Sequence, residues 1–69
     1  MLTNDELHKV LINLKDEGIS YKYVAKISGI SYDTFYYYRR CKQYPLDARI
    51  KIETALRQQF GGIIDEYCK

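Results

Sequence analysis

The segment Ser28-Gly29-Ile30-Ser31 restricts the fold of this chain more than any other feature, because it ends one helix and starts another within four residues. Glycine adopts a positive φ at little steric cost, so Gly29 can terminate a helix, and Ser31 is a preferred N-cap for the helix that follows. Ile30 is expected to turn inward beneath the turn. The pattern predicts two short helices joined by a tight turn.

The segment after the turn, Tyr32 to Arg40, separates into an apolar and a polar side if it is helical. Phe35 and Tyr38 then face the core. The opposite side, at the spacing i, i+3, i+4 and i+7, carries Asp33, Tyr36, Tyr37 and Arg40. The run from Phe35 to Tyr38 is also rich in β-forming residues, which makes a strand the competing interpretation. The length of the segment and the capping serine favour a helix.

Two further helix signals precede the turn. Thr3 and Glu6 have the spacing of a capping box, which predicts a first helix from about Asn4 to Glu17, closed by Gly18. Its apolar stripe consists of Leu7, Val10, Leu11 and Leu14. Ser20 is a suitable N-cap for a short second helix, whose predicted buried residues are Val24, Ala25 and Ile27.

After the second turn, the sequence predicts one long helix and a short final segment. Cys41 to Tyr44 is expected to be a loop, and Pro45 suits the first position of a helix that runs to Gln59. The residues expected in the interior are Leu46, Ile50, Ile52, Ala55, Leu56 and Phe60. Gly61-Gly62 is expected to end this helix, and the last helical turn would contain Ile63, Ile64 and Tyr67. Residues 1–69 are thus predicted to form one compact all-α domain of four to five helices.

Charge is distributed unevenly along a chain whose net charge is only +2. Residues 20–51 contain seven basic and two acidic side chains, for a net charge of +5, whereas both flanking segments are net negative. Seven of the eight tyrosines also lie between Tyr21 and Tyr44. A basic and tyrosine-rich middle segment indicates a face that meets phosphate, with an ordinary solvated surface as the competing interpretation.

A chain of this length removes only about 60% of its unfolded surface from water, which leaves little room for a catalytic cleft. The sequence contains no phosphate-binding glycine loop or nucleophile motif, and His8 has no metal-ligand spacing to Cys41 or Cys68, so no enzyme, metal or cofactor is predicted. His8 is expected to be an exposed helix residue. The N-terminus does not resemble a signal peptide and no apolar stretch could span a membrane, which predicts a cytoplasmic protein with reduced cysteines.

Residues 20–40 meet the requirements of a helix-turn-helix motif, with the small Ala25 where the two helices approach each other. In this region the chain resembles the lambda-repressor-like, or XRE, family of phage and bacterial regulators. The matching residues are Ser20, Val24, Ala25, Lys26, Gly29, Ile30, Ser31 and Thr34. The stretch PLDARIKIETAL is similar to the family's fourth helix, and GGIIDEY to the segment before its fifth. The resemblance implies a five-helix fold, although Ser28 stands where the family usually has leucine.

The string VAKISGISYDTFYYYRR also resembles the DNA-binding half of MerR-type regulators. That family places the motif almost at its N-terminus and follows it with a wing and a long dimerisation helix. In this chain a full helix is predicted before the motif and no wing pattern follows it, so the repressor-like architecture is preferred.

The resemblance implies a small phage or mobile-element repressor that binds double-stranded DNA sequence-specifically, with the segment from Ser31 to Arg40 in the major groove. The residues expected to contact DNA are Tyr21, Lys22, Lys26, Ser31, Tyr32, Asp33, Tyr36, Tyr37, Arg40 and Lys42. Tyr32 is the favoured base reader, whereas Tyr21, Arg40 and Lys42 are assigned to phosphates. Arg39 is expected to pair with an acidic neighbour instead. A dimer on a palindromic operator is expected to form through Ile63, Ile64 and Tyr67.

A function of another class remains open. The same helix-turn-helix could bind a protein partner and inhibit a host enzyme or another regulator, which a tyrosine-rich surface also suits. Salt distinguishes the two, because a protein that neutralises several phosphates loses affinity steeply as the salt concentration rises.

Overall fold

A computed structural model of the chain describes the backbone of residues 2–67 and the side chains of residues 2–62. Within this range the chain forms four helices and no strand. The helices are α1 (Asn4–Asp16), α2 (Tyr21–Ser28), α3 (Tyr32–Cys41) and α4 (Leu46–Tyr67). The prediction of a compact all-α domain is confirmed. The strand considered for Phe35 to Tyr38 is wrong, because the run lies inside α3.

Hydroxyl side chains set the start of the first three helices, as predicted. Thr3 Oγ1 accepts a hydrogen bond from the Glu6 N–H at 3.2 Å, while Glu6 Oε1 accepts one from the Thr3 N–H at 2.9 Å. The bond from the Thr3 backbone lowers the pKa of the Glu6 carboxyl. Ser20 and Ser31 each accept from the backbone N–H three residues further on. These bonds satisfy donors that a helix N-terminus otherwise leaves unpaired.

Left-handed glycines end the first two helices at the predicted positions. Gly18 follows α1 with φ 93°, and Gly29 caps α2 with φ 72°. Ile30 then turns inward and packs against the core. Ser28 is buried, and its hydroxyl donates to the Val24 carbonyl at 2.7 Å. A hydrogen bond to its own helix therefore satisfies this buried polar group.

A single hydrophobic core joins the helices, since α4 packs against α1 and α2, and α2 packs against α3. The buried side chains of this core are Leu2, Leu7, Val10, Leu11, Leu14, Val24, Ala25, Phe35, Tyr44, Ile52 and Leu56. Ile27, Tyr38 and Phe60, which were also expected inside, are partly buried against it. The predicted stripe of α1 is therefore confirmed in full.

The inward side of α4 differs from the prediction. Leu46 and Ile50 are 53% and 48% exposed, whereas Ile52 and Leu56 are fully buried. A helix rotates by about 100° per residue, which places Ile50 nearly opposite the side that carries Ile52 and Leu56, and Leu46 about a quarter-turn away from it. The helix also starts one residue after Pro45, whose carbonyl accepts from the Arg49 N–H at 2.8 Å.

The long helix breaks at Phe60, next to its predicted end at Gln59, and a second helical segment follows the break. Helix α4 continues to Tyr67, with a kink at Phe60, where φ is −138° and ψ is 44°. Neither glycine has a positive φ, so neither forms a left-handed cap. The side chains of Ile63, Ile64 and Tyr67, predicted to form a dimer surface, lie outside the described side chains.

The connection between α3 and α4 contains a core residue that the sequence analysis treated as part of a loop. Helix α3 includes Cys41 and ends at Lys42, whose φ of 56° is left-handed. Tyr44 is only 2% exposed, and its N–H donates to Asn4 Oδ1 at 2.9 Å. A 2.9 Å hydrogen bond also joins its hydroxyl to His8 Nδ1. His8 is half-buried in this contact, so its expected exposure is wrong.

In the part of the chain that the structure describes, no helix has both the length and the apolar character needed to cross a membrane. Cys41 is exposed, and the second cysteine, Cys68, lies outside the described residues.

Candidate nucleic-acid interface

Helix α3 is held by one side and presents the other to solvent. Phe35 is fully buried, and Tyr38 packs partly buried against the core. On the opposite side Tyr36 and Tyr37 are 48% and 63% exposed, and Asp33 and Arg40 are exposed with them. The predicted rotation of α3 is confirmed. The helix presents aromatic rings, one carboxylate and one guanidinium, which between them provide donors, acceptors and apolar surface.

The tyrosines of this surface contact one another along the helix. The rings of Tyr32 and Tyr36 are tilted, with their centroids 6.2 Å apart, and those of Tyr37 and Tyr38 are 6.3 Å apart. Such spacings fall in the range of favourable aromatic pairs. Each exposed ring therefore has a neighbour that limits its movement, and Tyr38 links Tyr37 to the core.

Helix α2 adds basic and aromatic side chains beside α3. Lys22 and Lys26 are exposed, and together with Tyr23 and Tyr32 they line a groove of about 470 Å³ between the two helices. Tyr23 was missed as a site residue. Its sequence signal was its place between the two lysines on the side of α2 that points away from Val24 and Ala25.

Hydrogen bonds of its N-cap hold the start of α3. Ser31 Oγ accepts from the Thr34 N–H at 3.3 Å, and its hydroxyl donates to Thr34 Oγ1 at 2.8 Å. The Ser31 hydroxyl proton is thereby already engaged. The cap fixes the direction in which the neighbouring Tyr32 and Asp33 leave the backbone.

Tyr21 and Arg39 form a contact that the sequence did not reveal. Arg39 Cζ lies 3.5 Å from the centroid of the Tyr21 ring, and Lys15 Nζ lies 5.5 Å from the same centroid. Tyr21 is half-buried and packs against the core. The acidic partner expected for Arg39 is not found among the described side chains, where the ion pair within 4 Å is the one between Arg57 and Glu53. A cation–π contact takes its place.

The electrostatic environment at the end of α3 is positive. Burial and then the charges of Arg39 and Lys42 lower the pKa of His8, while Asp5 opposes them. Burial also raises the pKa of Tyr44 to about 12, and here the Arg39 charge acts in the opposite direction. Both residues are therefore neutral at pH 7, and the positive charge of this end resides on Arg39, Arg40 and Lys42.

The ten residues predicted to contact DNA all lie on α2, on α3 or at the caps of α3, and nine of them are exposed. Tyr21 is the exception. Comparisons of the chain with protein-family models, with curated proteins and with solved structures found no match. The case for a function therefore rests on the residues themselves.

Proposed function

We propose that this protein binds double-stranded DNA sequence-specifically as a transcriptional regulator, with α3 in the major groove. The observation that carries the proposal is the two-sided character of α3, buried through Phe35 and exposed through Tyr36, Tyr37 and Arg40. A recognition helix needs both sides, because the buried side fixes the orientation with which the exposed side meets the bases.

The exposed side chains of α3 that are expected to contact DNA have chemically defined tasks. Tyr32 and Asp33 enter the groove first, and a carboxylate accepts a hydrogen bond from the amino group of cytosine. Tyr36 and Tyr37 offer rings to thymine methyl groups and hydroxyls to phosphates. Arg40 and Lys42 contact the phosphate backbone at the far end of the helix. Lys22 and Lys26 support that contact from α2.

The proposed architecture is lambda-repressor-like, with residues 20–40 as the helix-turn-helix. Four helices and the kink at Phe60 support it, because the part of α4 beyond the kink corresponds to a separate fifth helix in that arrangement. We further propose a phage or mobile-element repressor that binds a palindromic operator as a dimer through Ile63, Ile64 and Tyr67. Two copies on half-sites one helical turn apart would combine their small sets of base contacts.

The test is DNA affinity as a function of salt, measured by fluorescence anisotropy with a labelled random duplex. For about four neutralised phosphates, affinity should fall roughly 100-fold between about 50 mM and about 200 mM salt. Tyr36→Ala and Arg40→Ala should weaken binding and leave the melting temperature almost unchanged, since both residues are exposed. Absence of binding at low salt contradicts the proposal. A loss of folding in these variants contradicts the orientation of α3.

The second candidate function is a protein-binding module that inhibits a host enzyme or another regulator. The observation that favours it is the exposure of three neighbouring tyrosines, Tyr32, Tyr36 and Tyr37, since tyrosine is enriched in protein interfaces. A tyrosine-centred protein contact depends weakly on salt, whereas phosphate contacts depend on it strongly. Binding to a partner that persists at high salt while DNA binding is absent would favour this function.

A further inference from the structure

The contact between Arg39 and Tyr21 holds a guanidinium in place without neutralising it. The 3.5 Å separation of Cζ from the ring centroid places the positive group over the ring. Arg39 is half-buried, and its Nε is buried without a hydrogen-bond partner. No acidic side chain within the described range forms an ion pair with it. The structure thus fixes a charge at this position and leaves its strongest type of partner, an anion, unassigned.

Stacking on an aromatic ring occupies one face of a guanidinium, and because the Arg39 Nε is buried, the donors left for an external anion are those on its two Nη nitrogens. Those donors form a planar fork that matches two oxygens of a carboxylate or a phosphate. Holding the side chain in advance also reduces the rotamer entropy that is lost when an anion binds. The Tyr21 ring therefore prepares Arg39 for bidentate recognition.

The surroundings of Arg39 favour an anion of external origin. Lys15 lies over the same ring, and Arg40 and Lys42 follow in the chain, so positive groups accumulate at one end of α3. The lowered pKa of His8, caused first by burial and then by Arg39 and Lys42, is consistent with this potential. Like charges that lie close together repel each other, and an anion bound between them relieves the repulsion.

The position of Arg39 on α3 identifies the class of anion. It lies three residues after Tyr36 on the same helix, on the flank that faces the start of α2 rather than on the most exposed side. A helix lying in the major groove has bases beneath its exposed side and the sugar-phosphate backbone along its flanks.

We propose that Arg39, held on the ring of Tyr21, binds a phosphate of the DNA backbone at the edge of the groove that α3 enters. This inference rests on the proposed DNA-binding function and assigns a phosphate contact that differs from those expected of Arg40 and Lys42. Tyr21 acts as a positioning residue through its ring. The hydroxyl of Tyr21 plays no part in holding Arg39.

The experiment measures the affinity of the full chain for a random duplex at several salt concentrations. Arg39→Gln should lower the affinity about tenfold at low salt and reduce the salt slope by about one, because one charge-assisted phosphate contact is lost. Arg39→Lys keeps the charge without the fork, and it should recover the slope but only part of the affinity. Tyr21→Phe keeps the ring beneath Arg39, and Arg39→Gln should reduce the salt slope by about one in this background as well. Lys9→Gln, which removes one charge from the exposed side of α1, is the matched control and should leave the slope unchanged.

The outcomes separate the inference from the proposed function. If the unaltered chain binds DNA and Arg39→Gln has the same slope as Lys9→Gln, the phosphate contact of Arg39 is wrong while DNA binding stands. If the unaltered chain does not bind DNA, both fail. Thermal unfolding followed by circular dichroism is measured for each variant. An affinity loss in Arg39→Gln with an unchanged slope would assign the residue a structural role and would overturn the inference.

Discussion

Two sets of tyrosines in this small domain have the same side chain and opposite roles. Tyr44 is buried and Tyr38 and Tyr21 are partly buried, whereas Tyr32, Tyr36 and Tyr37 are exposed. The inner rings contact the core, and each also meets a partner: Tyr44 contacts His8 and Tyr38, and Tyr21 lies beneath Arg39. Of the outer rings, Tyr32 and Tyr36 contact each other, and Tyr37 contacts the inner ring of Tyr38.

The difference teaches that the neighbourhood of a tyrosine, and not its chemistry alone, determines whether it stabilises the fold or is available for binding. An inner tyrosine contributes buried area, and the hydroxyl of Tyr44 also has a hydrogen-bond partner in His8. An outer tyrosine leaves both its ring and its hydroxyl for a partner. The four predictions below test this division, and they are ordered by the size of the expected effect.

Replacing Tyr44 by alanine should cause the largest loss of stability. Removal of a large buried aromatic side chain from a core costs about 3–5 kcal/mol of the free energy of unfolding. Tyr37→Ala removes the same atoms from the surface and is the matched control. Urea denaturation followed by circular dichroism measures both. A Tyr44→Ala variant that loses less than about 1 kcal/mol would contradict the placement of this ring in the core.

Replacing Tyr44 by phenylalanine should have a smaller effect, because only the hydroxyl is removed. Loss of the 2.9 Å hydrogen bond to His8 Nδ1 should cost about 1 kcal/mol of the free energy of unfolding. A double-mutant cycle with His8→Ala isolates this pair. Purely additive effects in the cycle would indicate that the two groups do not interact in solution.

As the pH is lowered, protonation of His8 should reduce the free energy of unfolding before protonation of the carboxylates does. The pKa of His8 is lower in the folded chain than its ordinary value of 6.5, so the unfolded chain binds more protons as the pH falls past that value. The free energy of unfolding should therefore be constant well above pH 6.5 and should decrease as the pH falls below that value.

The pH effect is measured by urea denaturation at about pH 7.5 and about pH 5.5, a range that lies above the ordinary pKa values of the carboxyl groups. His8→Gln removes the titrating ring and should reduce the difference between the two conditions. Equal differences in the variant and the unaltered chain would show that His8 is not responsible for it.

Replacing Tyr36 or Tyr37 by alanine should have the smallest effect on stability. Substitutions on an exposed surface usually change the free energy of unfolding by no more than about 0.5 kcal/mol. Both substitutions should instead lower the affinity for DNA in the proposed complex. A destabilisation similar to that of Tyr44→Ala would remove the distinction between the two sets of rings.

The parts of the fold that sequence reasoning predicts well are those determined locally. Thr3, Ser20 and Ser31 act on donors only a few residues away, and Gly18 and Gly29 adopt the φ values for which glycine is suited. The starts of α1, α2 and α3 and the ends of α1 and α2 therefore follow from nearby residues alone. The exposed side of α3 could also be predicted, because Phe35 is a strong apolar anchor on one side of a short helix.

The features that were not predicted depend on contacts between distant segments. Helix α4 has apolar residues on more than one side, and its packing against α1 and α2 buries Ile52 and leaves Leu46 and Ile50 exposed. The local sequence around Tyr44 indicates a loop, because its partners Asn4 and His8 lie on α1, far away in the chain. The Arg39 contact likewise requires Tyr21 from another helix.

The most direct test of the central claim is a titration of the ¹⁵N-labelled chain with a random DNA duplex at low salt, followed by amide chemical shifts. The proposed function predicts the largest shift changes in Tyr32 to Arg40, with smaller changes near Lys22 and Lys26, and a reversal of these changes at high salt. Shift changes confined to α1 and α4, with residues 32–40 unaffected, would contradict the claim that the exposed side of α3 binds DNA.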